Sequence, residues 1–130
     1  MATETQTASR AETRLDRDET GFLIASDRVE GTAVYNRRDE KLGTIKNFMV
    51  GKRDGRVHYA VMSFGGLFGL GEKQYPLPWD VLTYEPEKGG YVVDLDKDRL
   101  EQGPSFERET EPTWDRDYAI RVYDYYGITY

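Results

Sequence analysis

The sequence contains no cysteine. That excludes disulfides, thiolate nucleophiles and Cys-ligated zinc or iron–sulfur centres. It contains one histidine, His58, so neither a multi-His metal site nor a second imidazole for acid–base work can be assembled. No cofactor, metal or catalytic residue is expected. No apolar run approaches the ~18 residues that span a bilayer, and residues 1–20, MATETQTASRAETRLDRDET, have no apolar core of a secretory signal. Direct membrane insertion is not expected, and a cytoplasmic protein is. Basic charge is in deficit, 18 Lys and Arg against 24 Asp and Glu, a net −6. Phosphate recognition needs a basic face, so nucleic acid and anionic lipid surfaces are disfavoured as partners.

What is present is short strands, turns and aromatic residues. At 130 residues the chain fits one domain. Residues 1–20 carry a single branched aliphatic, Leu15, and read as a disordered tail. Folding is expected from Gly21. Ser26-Asp27 offers an N-cap for a brief turn through Arg28 and Val29, and Gly31 ends it. Residues 32–35 form a short β-type run. Residues 42–52 read as a long strand whose apolar positions change phase, with Ile45 on one face and Phe48 and Val50 on the other. A β-bulge or a sharp bend near Lys46-Asn47 would reconcile them. Asp54-Gly55 marks a hairpin turn. Residues 57–64 are apolar on both faces, which predicts a strand covered on both sides.

The densest stretch is 57–82. After its first strand come Gly65-Gly66-Leu67-Phe68-Gly69-Leu70-Gly71, then a strand from Lys73 that meets Pro76 and Pro78, which argue for a strand end or an edge. Trp79 to Leu82 suits one helical turn. Glu85 to Gly90 is another turn, and Tyr91, Val93 and Leu95 alternate in a last strand. Residues 96–102 suit a short helix closed by Gly103-Pro104. Five to six short strands at short intervals predict an all-β domain, most simply a small barrel.

The ordered set Val34-Tyr35, Lys41-Leu42-Gly43, Tyr59-Ala60-Val61, the glycine loop with Glu72-Lys73, and Pro76-Leu77-Pro78-Trp79-Asp80 resembles the PRC-barrel domain. That is the cytoplasmic barrel of the photosynthetic reaction-centre H subunit and of ribosome-maturation factors, and free-standing bacterial members are the nearest in form. The resemblance covers residues 21–103. It implies a binding and assembly module and brings no catalytic residues. Neither the H subunit's transmembrane helix nor the maturation factors' partner domain is expected here, so neither specific role transfers directly; ribosome-maturation-like protein binding stays as a second alternative.

Residues 104–112 read as a charged linker. Beyond it, 113–130 read as an amphipathic helix with Thr113 as N-cap and Gly127 at its end. Trp114, Tyr118, Val122 and Tyr125 fall on one stripe, with Ala119 and Tyr126 on its flank, and Asp117 can pair with Arg121 on the polar face. So short a helix must dock: on its own barrel, on a second copy, or on another protein. The candidate interaction surface is therefore Leu67, Phe68 and Leu70 of the glycine loop with Trp114, Tyr118, Val122 and Tyr125. The partners expected are a second copy, as a homodimer, or another protein.

Three patterns suggest chemistry. The glycine loop lacks the Gly-Lys-Ser/Thr and following helix of a phosphate-binding loop. Asp94-x-Asp96-x-Asp98 begins like a calcium loop, but Arg99 and Ser105 stand where glycine and glutamate are needed. His58, Tyr59 and Trp79 define the rival reading, a small-molecule or proton-linked sensory site in the barrel mouth. Asp80 reads as a turn cap rather than a general base.

Overall fold

The structure is a computed structural model that describes residues 23–64 and 72–130. The tail and the glycine loop, with Leu67, Phe68 and Leu70, lie outside the described residues. Six strands form one sheet: β1 Ala33–Asn36, β2 Lys41–Val50, β3 Val57–Phe64, β4 Lys73–Pro78, β5 Thr83–Glu85 and β6 Gly90–Val93. Their order is β4-β3-β2-β1-β6-β5. Among the described residues the sheet ends on β4 and β5, and these two edge strands do not pair with each other. A 3₁₀ turn, Trp79–Val81, joins these two edges, where the sequence suggests one helical turn. Two short helices flank the sheet, α1 Ser26–Val29 and α2 Lys97–Glu101. A third, α3 Arg116–Tyr125, follows a 3₁₀ turn at Arg108–Thr110. No helix among the described residues is long and apolar enough to cross a membrane.

The sheet follows from local signals in the chain. The β2–β3 hairpin closes through Gly51 N–H to the Arg56 carbonyl at 2.8 Å. Its register shifts between Ile45 and Asn47, which leaves Lys46 as the extra residue. That bulge turns Ile45 and Phe48 to the same interior, as the change of phase in the sequence requires. A second irregularity follows Met49, and Val50 ends 48% exposed. It therefore parts from Phe48, against the sequence reading. The helical turn at α1 also starts differently: Ala25 is its N-cap, with no side-chain cap bond, and Ser26 is already helical. The last strand stops at Val93, short of Leu95.

The interior is filled by side chains. Val34, Leu42, Ile45, Ala60, Met62, Leu77 and Val93 are each at most 1% exposed, and Val29 from α1 and Leu100 from α2 join the same cluster. Asp96 caps α2 by accepting the Arg99 N–H at 2.9 Å. Within the acidic run Asp94–Asp98, Asp96 thus has a folding role as the helix cap. Glycine is required at position 43, where an added Cβ would collide with the carbonyl oxygen of Ser63 and sit 3.0 Å from Met62 Cγ.

Strand β4 runs along an edge. Gln74 points its backbone away from β3 and exchanges two hydrogen bonds with Phe106, at 2.8 and 2.9 Å. By the alternation of an antiparallel pair, Pro76 and Pro78 face the same outer side. The linker thus carries an ordered backbone bridge at Phe106.

Candidate interaction surface

Register assigns each face of β3. Ala60 and Met62 point into the barrel, while Tyr59 and Val61 point outward, opposite Met49 and Asn47 of β2 and Pro78 and Pro76 of β4. Helix α3 covers this outer face. Tyr118, Ala119, Val122 and Tyr123 are buried and cluster with Tyr59, and Met49, Trp114, Tyr126 and Ile128 pack around them. The apolar pattern on both faces of 57–64 has its cause here: one face belongs to the barrel and the other to the helix. Val122 is 0% exposed. At about 25 cal/mol per Å² a fully buried valine contributes roughly 1.5–2 kcal/mol, so the docking is a substantial part of the fold.

The helix begins later than the sequence suggests. Asp115, not Thr113, is the N-cap, and its carboxylate accepts the Tyr118 N–H at 3.0 Å. Trp114 therefore precedes the helix. The stripe drawn from Trp114 is rotated by this, and the buried face centres on Ala119 and Tyr123 as well as Tyr118 and Val122. Tyr125 lies at the rim. Its hydroxyl donates to the Arg99 carbonyl at 2.5 Å, and the Arg99 guanidinium covers its ring at 4.5 Å. Asp117 and Arg121 form no ion pair among the described residues; Arg121 instead lies over the Tyr118 ring at 5.0 Å.

The helix ends on a double hydrogen bond. Gly127 N–H reaches the Asp124 carbonyl at 3.0 Å, and Ile128 N–H reaches the Tyr123 carbonyl at 2.9 Å. This is the Schellman arrangement, and Gly127 takes the left-handed φ of 73° that it needs. Gly127→Ala is expected to cost about 1–2 kcal/mol, read as a lower urea midpoint with an unchanged slope.

Tyr123 and Tyr130 are the contributors that the stripe missed. Tyr123 donates its hydroxyl to the His58 carbonyl at 2.5 Å. Tyr130 stacks edge-on against Tyr123 at 4.8 Å and places its hydroxyl 3.4 Å from His58 Nδ1. The i, i+4 pair Ala119 and Tyr123 was the available signal, hidden by anchoring the helix at Trp114. The residues of the rival site do not converge. His58 meets Asp54 at 3.2 Å and Tyr130 on the hairpin end. Tyr59 lies under α3. Trp79 packs into the barrel core against Phe48 and Tyr91.

Burial pushes the hydroxyls of Tyr59, Tyr118, Tyr123 and Tyr126 above their ordinary 10.0, Tyr123 up to about 12. The Tyr59 and Tyr126 hydroxyls are buried without a partner among the described residues. Each proton is held more tightly in the folded chain than in the unfolded one. The stability that depends on neutral hydroxyls is therefore complete below pH 10.0 and is lost as pH rises through the raised values. In an alkaline titration, part of the 10 tyrosines is expected to ionise late, together with loss of near-ultraviolet circular dichroism. Ionisation of all of them in one early step with the fold intact would contradict this.

Open clefts lie elsewhere among the described residues. One of about 340 Å³ is lined by Arg37, Arg38, Arg99, Asp94, Asp96 and Leu95 around Asn36. Another, of about 550 Å³, holds Asp39, Asp80, Glu85 and Asp94 with Arg37 and Lys88. The charges in the second are mixed, and Lys88 pairs with Asp39. Asn36, common to both, is spent within the chain. Its amide donates to Glu40 Oε1 at 2.7 Å and accepts from Arg38 and Glu40 N–H at 2.9 and 3.0 Å. Among the described residues no cluster of His, Asp and Glu is placed to hold a metal ion.

The family model of the PRC-barrel domain matches residues 23–100, more than half of the chain. The chain belongs to the PRC-barrel family. The six-stranded sheet and its filled interior are the family domain, and α3 lies beyond the matched residues. No curated protein matches this PRC-barrel chain. Among solved structures it is similar to RimM of Pseudomonas aeruginosa, named as a 16S ribosomal RNA processing protein. The two share 22% identity and a TM-score of 0.39, over 65% of this chain and 50% of that one. The PRC-barrel chain thus spans about half the length of that protein.

Proposed function

We propose that this PRC-barrel chain is a non-enzymatic binding and assembly module that acts through protein–protein contacts, with self-association as its first form. The observation that supports this is the composition of the surface around α3. Arg116 stacks on Tyr130 at 5.9 Å and Arg121 on Tyr118 at 5.0 Å, and Ile120 and Tyr130 remain 39% and 44% exposed. Arginine and large aromatic side chains dominate the energetic centres of protein interfaces. Tyr118 and Val122 serve this surface from beneath, by fixing α3 to the barrel. Ile120 and Tyr130 are the exposed members left for contact, with half-buried Trp114 and Tyr125 beside them.

The test is sedimentation of the full chain over a wide concentration range, with affinity capture from cell extract as a second arm. Concentration-dependent mass, or a captured protein lost on Tyr130→Ala, is the expected result. A monomer at every concentration that captures nothing would sink the proposal. Capture of ribosomal proteins would favour the ribosome-maturation-like form of the same reading.

A further inference from the structure

Helix α3 docks with one face and leaves a second stripe in water. Arg116, Ile120 and Asp124 are all exposed. They stand four residues apart, so they line up on successive turns beside the docked face. Arg116 occupies the first position of the helix and Asp124 its last turn. Both charges oppose the helix dipole, which favours anions at the start and cations at the end. Among the described residues, contacts within the chain answer this at Arg116 alone. Arg116 has only the Tyr130 ring against it, and the Asp124 carboxylate has no ion pair or hydrogen bond among the described residues.

Reversal and superposition of the stripe offsets the conflict. Ile120 is equally distant in sequence from Arg116 and Asp124. In an antiparallel pair of helices, Ile120 would meet Ile120, and each Arg116 would meet Asp124 of the second copy. Each anion would then sit at the partner helix's start and each cation at its end, where the dipole favours them. A two-fold axis imposes this self-complementary arrangement, in which residue i meets residue j and j meets i. We propose that α3 pairs antiparallel with α3 of a second copy of this chain, across a two-fold axis at Ile120. The proposal rests on the assembly reading above and names its surface. A single pair of ten-residue helices is a small contact. Weak, salt-sensitive dimerisation is expected, with the exposed Tyr130 beside Arg116 widening it.

The experiment is sedimentation equilibrium of the full chain at low and high salt, with three variants at exposed positions. Ile120→Glu and Asp124→Arg are each expected to weaken dimerisation by about tenfold or more, since they place like charges together. The double variant Arg116→Asp/Asp124→Arg exchanges the two charges and is expected to restore dimerisation. Melting temperatures near that of the parent would show that the variants still fold. If the chain dimerises but Ile120→Glu and Asp124→Arg leave it unchanged, or the double variant fails to restore it, the α3 pairing is overturned while the assembly reading stands. A monomer at all concentrations also overturns the pairing, and capture from extract then decides the assembly reading separately.

Discussion

Val122→Asp is expected to lower the stability of the chain by about 3–5 kcal/mol, the cost of an uncompensated charge in a buried site. Val122 is wholly buried between α3 and the outer face of β3 and β4. Its neighbours Tyr59, Tyr118, Ala119 and Tyr123 bring rings and a methyl group to the site but no cation. Val122→Ala removes two methyl groups and leaves a cavity, so about 1.5–3 kcal/mol is expected there. The ratio between the two variants is the informative quantity. A helix that merely rested on the barrel would swing its aspartate into water, and both variants would cost little. Urea unfolding followed by far- and near-ultraviolet circular dichroism reads the difference. Removal of all residues after Pro104 carries the same argument further. It takes away α3 and the Phe106 bridge and is expected to leave a barrel of markedly lower melting temperature. Unchanged midpoints in these variants would mean that α3 contributes nothing to the fold.

Gly43→Ala is expected to cost about 2–3 kcal/mol, the scale of overpacking in a closed site. The sign is the opposite of the general rule for strands, where replacing glycine by alanine gains roughly 0.5–1 kcal/mol through the unfolded chain. At Gly43 the new methyl would run into the Ser63 carbonyl and the Met62 side chain. Met62 can shift, but the carbonyl belongs to the backbone of β3, where Ser63 pairs with Thr44 of β2 and Gln74 of β4. Relief therefore requires β2 and β3 to move apart. A variant as stable as the parent would show that the bulged β2 gives way at small cost.

Local signals made much of the fold legible. Asp54-Gly55, the change of phase at Lys46, and the prolines of β4 each act within a few residues, and each placed its element. The parallel pairing of β1 with β6 could not be read in the same way. Its partners are more than fifty positions apart, and nothing in either strand names the other. The helix face was legible in kind but turned in azimuth. Thr113, Asp115 and Trp114 offer rival starts, and only the bond from Tyr118 N–H to Asp115 decides among them. Tyr130 was out of reach for a similar reason: its contacts with His58 and Tyr123 depend on the chain's course beyond Gly127. The two charges that oppose the helix dipole were visible in the sequence. Their meaning required knowing which stripe the barrel had already used.

The outer row of β4 has a consequence for how this protein can self-associate. A sheet edge with free N–H groups is a template on which another chain can add a strand, and ordered stacking of that kind leads to fibres. On β4 that row presents one N–H, from Gln74, and Phe106 occupies it; the next two positions are proline and have none to offer. Backbone zippering at this edge is therefore blocked chemically, whatever the concentration. Contacts between copies on this side of the molecule must be made by side chains, which can be tuned one residue at a time and reversed.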